Sequence, residues 1–418
     1  MQEKAVKRTL NLYIYMCAFE YFISLIVTGT FLATLTSYLG ISDSLTGIIS
    51  SFVSLGCLFQ LLSMFLNRRH TKSLVLVGNI VNQLIFMLLY LVPFFDAGQQ
   101  INSAIFIVVM LVAYILSNVI SPIKSNWFFS LMDPRQRGVY TSKVQIVSLI
   151  TGMLFTFGMG TLIDHFRESG QIETAFILCA ITIFVCTVAH AVTVIFSVSP
   201  APESTVSSRR DIFRVLKSKN ALKITGLFCL WCTATYSATP FYGTYQIKEL
   251  GFSLQFVSIL GIIHSLSRAC VATSWGKFAD KKGFAVMLRI CQCIAALCFL
   301  VNVFTTPENG AIMYTIHYVI YAIALGGIGL SQNNLIFEMV EPDLRANAMA
   351  LNSAISGLVG FLVTLIVSPL VDYIQQNGNQ LFGLNVYAQQ VVSLIACIFT
   401  VLCILYITFV IRPKKRTV

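Results

Sequence analysis

Apolar runs of roughly twenty residues or more, interrupted by short clusters of Gly, Asn, Asp, Pro and charged residues, set the pattern along all 418 positions. A helix crossing the hydrocarbon core of a bilayer needs about 20 such residues. The runs predict twelve spans, over 10–37, 44–66, 73–95, 103–131, 138–163, 172–197, 222–248, 253–275, 284–305, 311–339, 346–371 and 387–411. One polar interval is longer than the rest. SPAPESTVSSRRDIFRVLKSKN, after Val198, divides six spans from six, so the chain reads as an N-terminal bundle over 1–199, a linker over 200–221 and a C-terminal bundle over 222–418. Within the linker Ile212, Phe213, Val215 and Leu216 share a face opposite Arg and Lys. That is the pattern of an amphipathic helix on a membrane surface, and equally of a solvated basic connector.

The pattern also repeats. Sliding Lys124–Asp164 forward by 208 positions lays it without a gap on Gln332–Asp372, with ten identities in 41 pairs, among them Asn126/Asn334, Phe129/Phe337, Pro134/Pro342, Arg137/Arg345, Gly152/Gly360, Thr156/Thr364 and Asp164/Asp372. Each copy reads as an apolar helix, a tight charged turn and a second apolar helix. A repeat spaced by half the chain implies two similar bundles related by an axis along the membrane normal. Function then belongs between the halves.

Composition agrees with a membrane interior: 56% hydrophobic, 11% charged, mean hydropathy +0.80, against about 25% charged residues in soluble proteins. The net charge of +11 would point a soluble protein toward nucleic acid, but its distribution points to orientation instead. Of 28 Lys and Arg, 23 fall before the first span, in the even-numbered loops or in the tail, against Arg167 and Lys248 on the other side. The excess of basic residues on cytoplasmic loops therefore predicts both termini inside a cell membrane. The apolar run that begins near residue 10 is longer than a signal-peptide core, so the first span is expected to be retained. All twelve Cys lie in apolar runs, where a thiol behaves as a small hydrophobe. Neither Cys229-x-x-Cys232 nor Cys291-x-Cys293 has a nearby His to complete a zinc set. No metal and no cofactor are expected.

The turn after span eight reads Gly276-Lys-Phe-Ala-Asp280-Lys-Lys-Gly283, with glycines that permit close approach and sharp turning. Together, the twelve spans, the basic mid-chain loop, the 208-residue repeat and this turn resemble the major facilitator superfamily over the whole chain. Gly276, Asp280, Lys281 and Gly283 match the family's cytoplasmic signature, with Phe284 where a basic residue is usual. The corresponding turn of the first half keeps the basic pair Arg68–Arg69 but has Asn67 in place of the Asp. The fourth-span arginine motif and the fifth-span Gly-Pro pair of the family's drug antiporters are missing. The resemblance implies an all-α fold of two pseudo-symmetric six-helix bundles. It also implies a cytoplasmic gate in which the Asp280 turn meets the start of span five, giving Arg137, Gly276, Asp280, Gly283 and Arg345 as gate candidates.

A charge in the bilayer core costs about 2.5–3.5 kcal/mol on insertion scales, so deep ionisable residues are functional candidates by default. Of the 17 acids only Glu20 sits well inside a span, near mid-membrane, on a stripe with Tyr13, Cys17, Ser24 and Thr28. Lys124 ends a similar stripe of Tyr114, Ser117 and Ser121 on span four. Span eight contributes Gly261, His264, Ser265 and Arg268, and span ten Tyr314, His317, Tyr321, Ser331 and Gln332. Tyr236 shares a face with Thr233 and Pro240. The candidate cavity is therefore Glu20, Ser24, Ser121, Lys124, Asn126, Tyr236, His264, Arg268, His317 and Asn334. Simpler readings stand beside these. A lone His on an apolar helix is commonly a core donor, Lys124 and Arg268 are near enough to helix ends to snorkel, and Asn126 and Asn334 suit interhelical bonding as well as ligand binding. Asn79, Asn82 and Gln83 lie on span three, which the resemblance places outside the cavity, and read as interhelical glue.

The sequence holds no nucleotide loop, metal set or catalytic grouping, so an enzyme is not expected and a gradient must supply the energy. The depths of Glu20 and Lys124 differ by about four residues of helix rise, roughly 6 Å, which a Lys side chain spans. A paired Glu20 would stay ionised. A substrate displacing Lys124 would leave it desolvated and favour proton uptake, so that proton and solute load together. The expectation is a monomeric secondary transporter of a small polar solute, a sugar or organic anion, with a proton as coupling ion and sodium as the alternative. A drug/proton antiporter and a transport-incompetent membrane sensor or partner-binding protein are the competing readings.

Overall fold

In a bilayer core no water is available to the backbone, so a spanning chain satisfies its amide and carbonyl groups within helices. The computed structural model describes residues 2–64, 66, 70–131, 137–199, 214–341 and 344–411, and nearly all of it is helix. Ile212, Phe213, the Arg68–Arg69 pair, Pro134 and Pro342 lie outside the described residues, as do the side chains of Arg137 and Asp280.

The helices are α1 Gln2–Ile26, α2 Gly29–Tyr38, α3 Asp43–Ser50, α4 Phe52–Phe59, α5 Thr71–Leu91, α6 Gln99–Leu131, α7 Arg137–Glu168 and α8 Ile172–Ile195. They continue with α9 Lys219–Thr244, α10 Leu254–Lys282, α11 Phe284–Val303, α12 Gly310–Met339, α13 Arg345–Gln376 and α14 Ala388–Tyr406. Among the described residues eleven spans have the length and hydropathy to cross a membrane. With α9, whose apolar run is diluted by Lys219, Lys223 and a series of Thr and Ser, they account for the twelve expected spans.

Two spans that read as continuous are broken. Span one stops at Ile26 and restarts at Gly29, where φ is +58°. The Tyr90 hydroxyl of α5 takes up the freed Ile26 carbonyl at 2.5 Å. Span two breaks at Ser51 and ends in a 3-10 turn over Gln60–Met64. The segment Gly276–Gly283 is also not the turn its glycines suggested. Helix α10 runs through Lys282, and Gly283 alone, at φ +90°, turns the chain into α11. The residues between the glycines are ordinary helix formers, and among the described residues nothing lies within 4 Å of where a Cβ on Gly276 would sit. A two-residue hairpin, Gln380–Leu381 with Leu384–Asn385, joins α13 to α14.

The repeat is expressed as geometry within each half. α7 and α13 are both 32 residues long and begin 208 positions apart, at Arg137 and Arg345. α6 and α12 end 208 positions apart, at Leu131 and Met339. In the second copy Arg345 Nε donates to the Val340 carbonyl at 3.1 Å and Nη2 to that of Phe337 at 2.8 Å, with the guanidinium over the Phe337 ring. A cation on the last carbonyls of a helix satisfies orphan acceptors and complements the dipole. That gives the Phe337 and Arg345 identities of the repeat a physical reason. The Gly pair has another: a methyl on Gly152 would fall on the Tyr21 ring, and one on Gly360 on the Tyr236 ring.

The chain divides into two compact units. The first comprises Met1–Ile41, Phe59–Val206 and Ser253–Ser258, the second Ser42–Leu58, Ser207–Phe252 and Ile259–Val418. In the first, α1 packs on α7 and α8, and α5 on α6 and α8. The core between α1, α5, α6 and α8 is built from Leu10, Tyr13, Met16, Val75, Ile120, Ile123, Trp127, Phe128 and Val194. Asp164 of α7 accepts from the Leu254 and Gln255 amides and so caps the N-terminus of α10. In the second unit α11 packs on α12 and α14, α9 on α13 and α14, and α3 on α13. Because the Gly152 and Gly360 contacts leave no room for a methyl, each Gly→Ala substitution is predicted to destabilise the protein by about 1–3 kcal/mol through overpacking. Thermal unfolding of the purified variants in detergent checks this, and a wild-type melting temperature for both would mean the Tyr rings yield freely.

Candidate functional site

The first unit holds three ionisable side chains in one contact. Glu20 lies on α1 one turn beyond Met16, Lys124 on α6 between Ile123 and Trp127, and His190 on α8 one turn before Val194, so each is delivered by a helix face that otherwise builds the apolar core. The Lys124 ammonium pairs with Glu20 Oε2, and His190 Nε2 meets Glu20 Oε1 at 2.9 Å. Side-chain exposure is 8% for Lys124, 0% for His190 and 26% for Glu20, so the carboxylate is the member that reaches outward. An ionised carboxylate only accepts hydrogen bonds, so His190 meets it as the donor through Nε2. Nδ1 is buried without a partner among the described residues.

The helix ends fix this arrangement. Lys72 of α5 donates to the carbonyls of Ile195 and Ser197, Trp127 of α6 to that of Val198, and Thr9 Oγ1 of α1 accepts from the Val198 amide. Three helices thus hold the end of α8 about two turns from His190. Tyr13 stacks on Phe128 at 4.1 Å beside the cluster.

Sequence reading placed Glu20 and Lys124 within reach of each other, and they are paired; Lys124 is buried and does not snorkel. It did not single out His190. The signal was present, since Cys186, His190, Thr193 and Ser197 fall at helical spacings on one face of span six. Of the other candidates in this unit, Ser24, Ser121 and Asn126 are exposed on their helices, and Ser24 Oγ donates to the Tyr21 carbonyl.

In the second unit His264 and His317 join one aromatic cluster. His317 is buried, stacks on Tyr321 at 5.4 Å and contacts Cys298 Sγ through Nδ1 at 3.0 Å. His264 Nδ1 meets the Tyr318 carbonyl at 3.2 Å, with its ring edge-on to that of Tyr318. Arg268 is exposed one turn further along α10. Tyr236 is half-buried against Gly360, and Asn334 bonds the Leu330 carbonyl of its own helix. The structure therefore brings Glu20 and Lys124 together, and His264 with His317, but leaves Asn334 on a local bond.

A second ionic group lies in this unit and was not foreseen, because its members stand at span ends and read as loop charges. Lys248 pairs with Asp43 Oδ1, and Gln375 Nε2 donates to Asp43 Oδ2 at 2.8 Å. Ser44, the next residue after Asp43, meets Ser368 at 2.6 Å. Glu249, just past span seven, has its carboxyl pushed above the usual carboxylate range by burial and by the Asp43 charge, with Asn379 and Lys248 opposing.

The deep cluster can hold opposite charges and exchange partners, which suits binding and ion coupling. A comparison with curated protein sequences finds no match to this chain. Solved structures share its fold. A variant of the nucleoside transporter NupG aligns with a TM-score of 0.72 at 16% identity over 96% of this chain and 99% of that one. An auto-inhibited peptide transporter of the POT family aligns at 0.70 and 11%, over 98% of both chains. A D-xylose-proton symporter aligns at 0.68 and 13%, over 98% of this chain and all of that one. The sequence model of the Major Facilitator Superfamily matches residues 14–364, and the chain, a multi-pass membrane protein built for transport, belongs to that family.

Proposed function

We propose that this protein is a secondary active transporter that moves a small polar solute, an organic anion or a sugar, by alternating access of its two halves, with the proton as coupling ion. In this reading it works as a monomer in the cell membrane, with both termini cytoplasmic. The observation that carries the proposal is the buried Glu20–Lys124 pair. Two opposite charges in an apolar core recover their desolvation cost only while both are satisfied. A solute that draws Lys124 away must therefore leave something to balance Glu20, and a proton can do so. The solutes named for the similar structures, a nucleoside, D-xylose and a peptide, are polar, and the xylose carrier is a proton symporter by its description.

In proteoliposomes Glu20→Gln is predicted to abolish uphill accumulation driven by an imposed pH difference, while downhill exchange of the same solute continues. If Glu20→Gln still accumulates solute against its gradient, the cluster around Glu20 is not the coupling site and His264 becomes the next candidate.

The cytoplasmic gate is assigned to Asp280 and Gly283 at the end of α10, with Arg137, Gly276 and Arg345. Removing the Asp280 carboxylate takes away the anion of that group and favours the inward-open state. Asp280→Ala is therefore predicted to increase cysteine labelling from the cytoplasmic side, measured at a reporter introduced in the cavity after replacing the exposed native Cys270 and Cys293. Unchanged labelling would remove Asp280 from the gate.

A further inference from the structure

Proton coupling needs a seat for the proton as well as a gradient, and the structure offers one. His190 is fully buried, and its Nε2–H is spent on Glu20. Its Nδ1 has no hydrogen-bond partner among the described residues, whereas buried polar atoms are nearly always satisfied. The charged and titratable groups around it are few. α1 presents Glu20, with Cys17 and Tyr13 beyond it, and α6 presents Lys124. α8 itself carries Cys186. α5 has no titratable residue between Lys72 and Tyr90, nor α7 between Lys143 and Asp164.

α5 carries something else. Asn79, Asn82 and Gln83 are buried, and Asn79 Nδ2, Asn82 Oδ1 and both Gln83 amide atoms lack partners among the described residues. α5 and α8 run antiparallel, with Lys72 at Ile195 and the Tyr90 ring near that of Phe176. This register places Asn79 within about a turn of the level of His190. An amide nitrogen without a partner on the neighbouring helix thus lies near the depth of the unpartnered imidazole nitrogen, with Asn82 and Gln83 about one to two turns further along.

We infer that His190 holds the transported proton at Nδ1 and that the solute it accompanies is a monoanion. The inference rests on the proton-coupled reading above. With His190 neutral, the charges of Glu20 and Lys124 cancel. Loading forms one N–H bond at Nδ1 and leaves the cluster at +1, with the imidazolium on one carboxylate oxygen and the ammonium on the other. An unbalanced charge in this setting is costly. A carboxylate solute on Lys124 restores neutrality, whereas an uncharged sugar does not. Release to the opposite side breaks the same N–H bond and returns the proton to water, and no electrons move.

The test uses purified full-length protein in proteoliposomes, with lactate and gluconate as probes and glycerol and glucose as uncharged controls. One proton moving with one monoanion carries no net charge. A pH difference of one unit should then drive up to about tenfold accumulation of a monocarboxylate, unaltered by a potassium-valinomycin potential. His190→Gln keeps an amide donor to Glu20 and loses the protonatable nitrogen. It should lose pH-driven accumulation. The wild-type measurement tests the charge balance even if that variant fails to fold. Undiminished accumulation by His190→Gln overturns the role of His190, and wild-type accumulation that follows the membrane potential overturns the monoanion. If the wild type accumulates nothing under a pH difference, the proton-coupled reading fails and takes the inference with it, a result distinct from either of the others.

Discussion

A charge inside a bilayer must be answered by another charge or by hydrogen bonds, and this protein places its answer where four helices of one unit meet. Glu20 alone would be costly in the middle of α1. Lys124 on one oxygen and His190 on the other satisfy it, and both are set in a shell of Met16, Val75, Ile123, Trp127, Phe128 and Val194. The apolar shell has two effects. It packs around the polar groups, and it makes the loss of either partner at Glu20 costly.

Much of the remaining order serves to hold helix ends. Lys72 caps the end of α8, Asp164 caps the start of α10, Arg345 caps the end of α12, and the Tyr90 hydroxyl closes the break in span one. Each supplies to an orphan backbone group a bond that the membrane cannot. Part of the repeat has the same physical basis, and part a packing one. Arg345 and Phe337 act together on the last carbonyls of α12, and Gly152 and Gly360 each allow one helix to seat against a tyrosine.

The fold was legible to within a few residues because periodic apolar runs of membrane length have few alternatives. The pairing of Glu20 with Lys124 was legible too, since depth along a helix follows from residue number. What was missed shares one cause: residues were judged by their own span rather than by the helix opposite. His190 looked like one more polar residue on span six. Lys248 was counted as a loop charge, although it forms an ion pair with Asp43, with Gln375 beside it. The break after Ile26 had only Gly29 as a sign. The glycines at 276 and 283 suggested a turn, whereas the residues between them continue the helix to Lys282.

A buried ion pair can serve merely as glue, and stability alone does not separate glue from coupling, because removing one partner strands the other charge at a cost of about 3–5 kcal/mol in either case. Removing both partners does separate them. The decisive measurement is pH-driven uptake by the double variant Glu20→Gln with Lys124→Met, alongside its thermal unfolding. Coupling through this pair predicts a protein that melts near the wild-type temperature, above either single variant, yet accumulates no solute under an imposed pH difference. A stable double variant that still accumulates solute at the wild-type level would contradict it and leave the pair as interhelical glue.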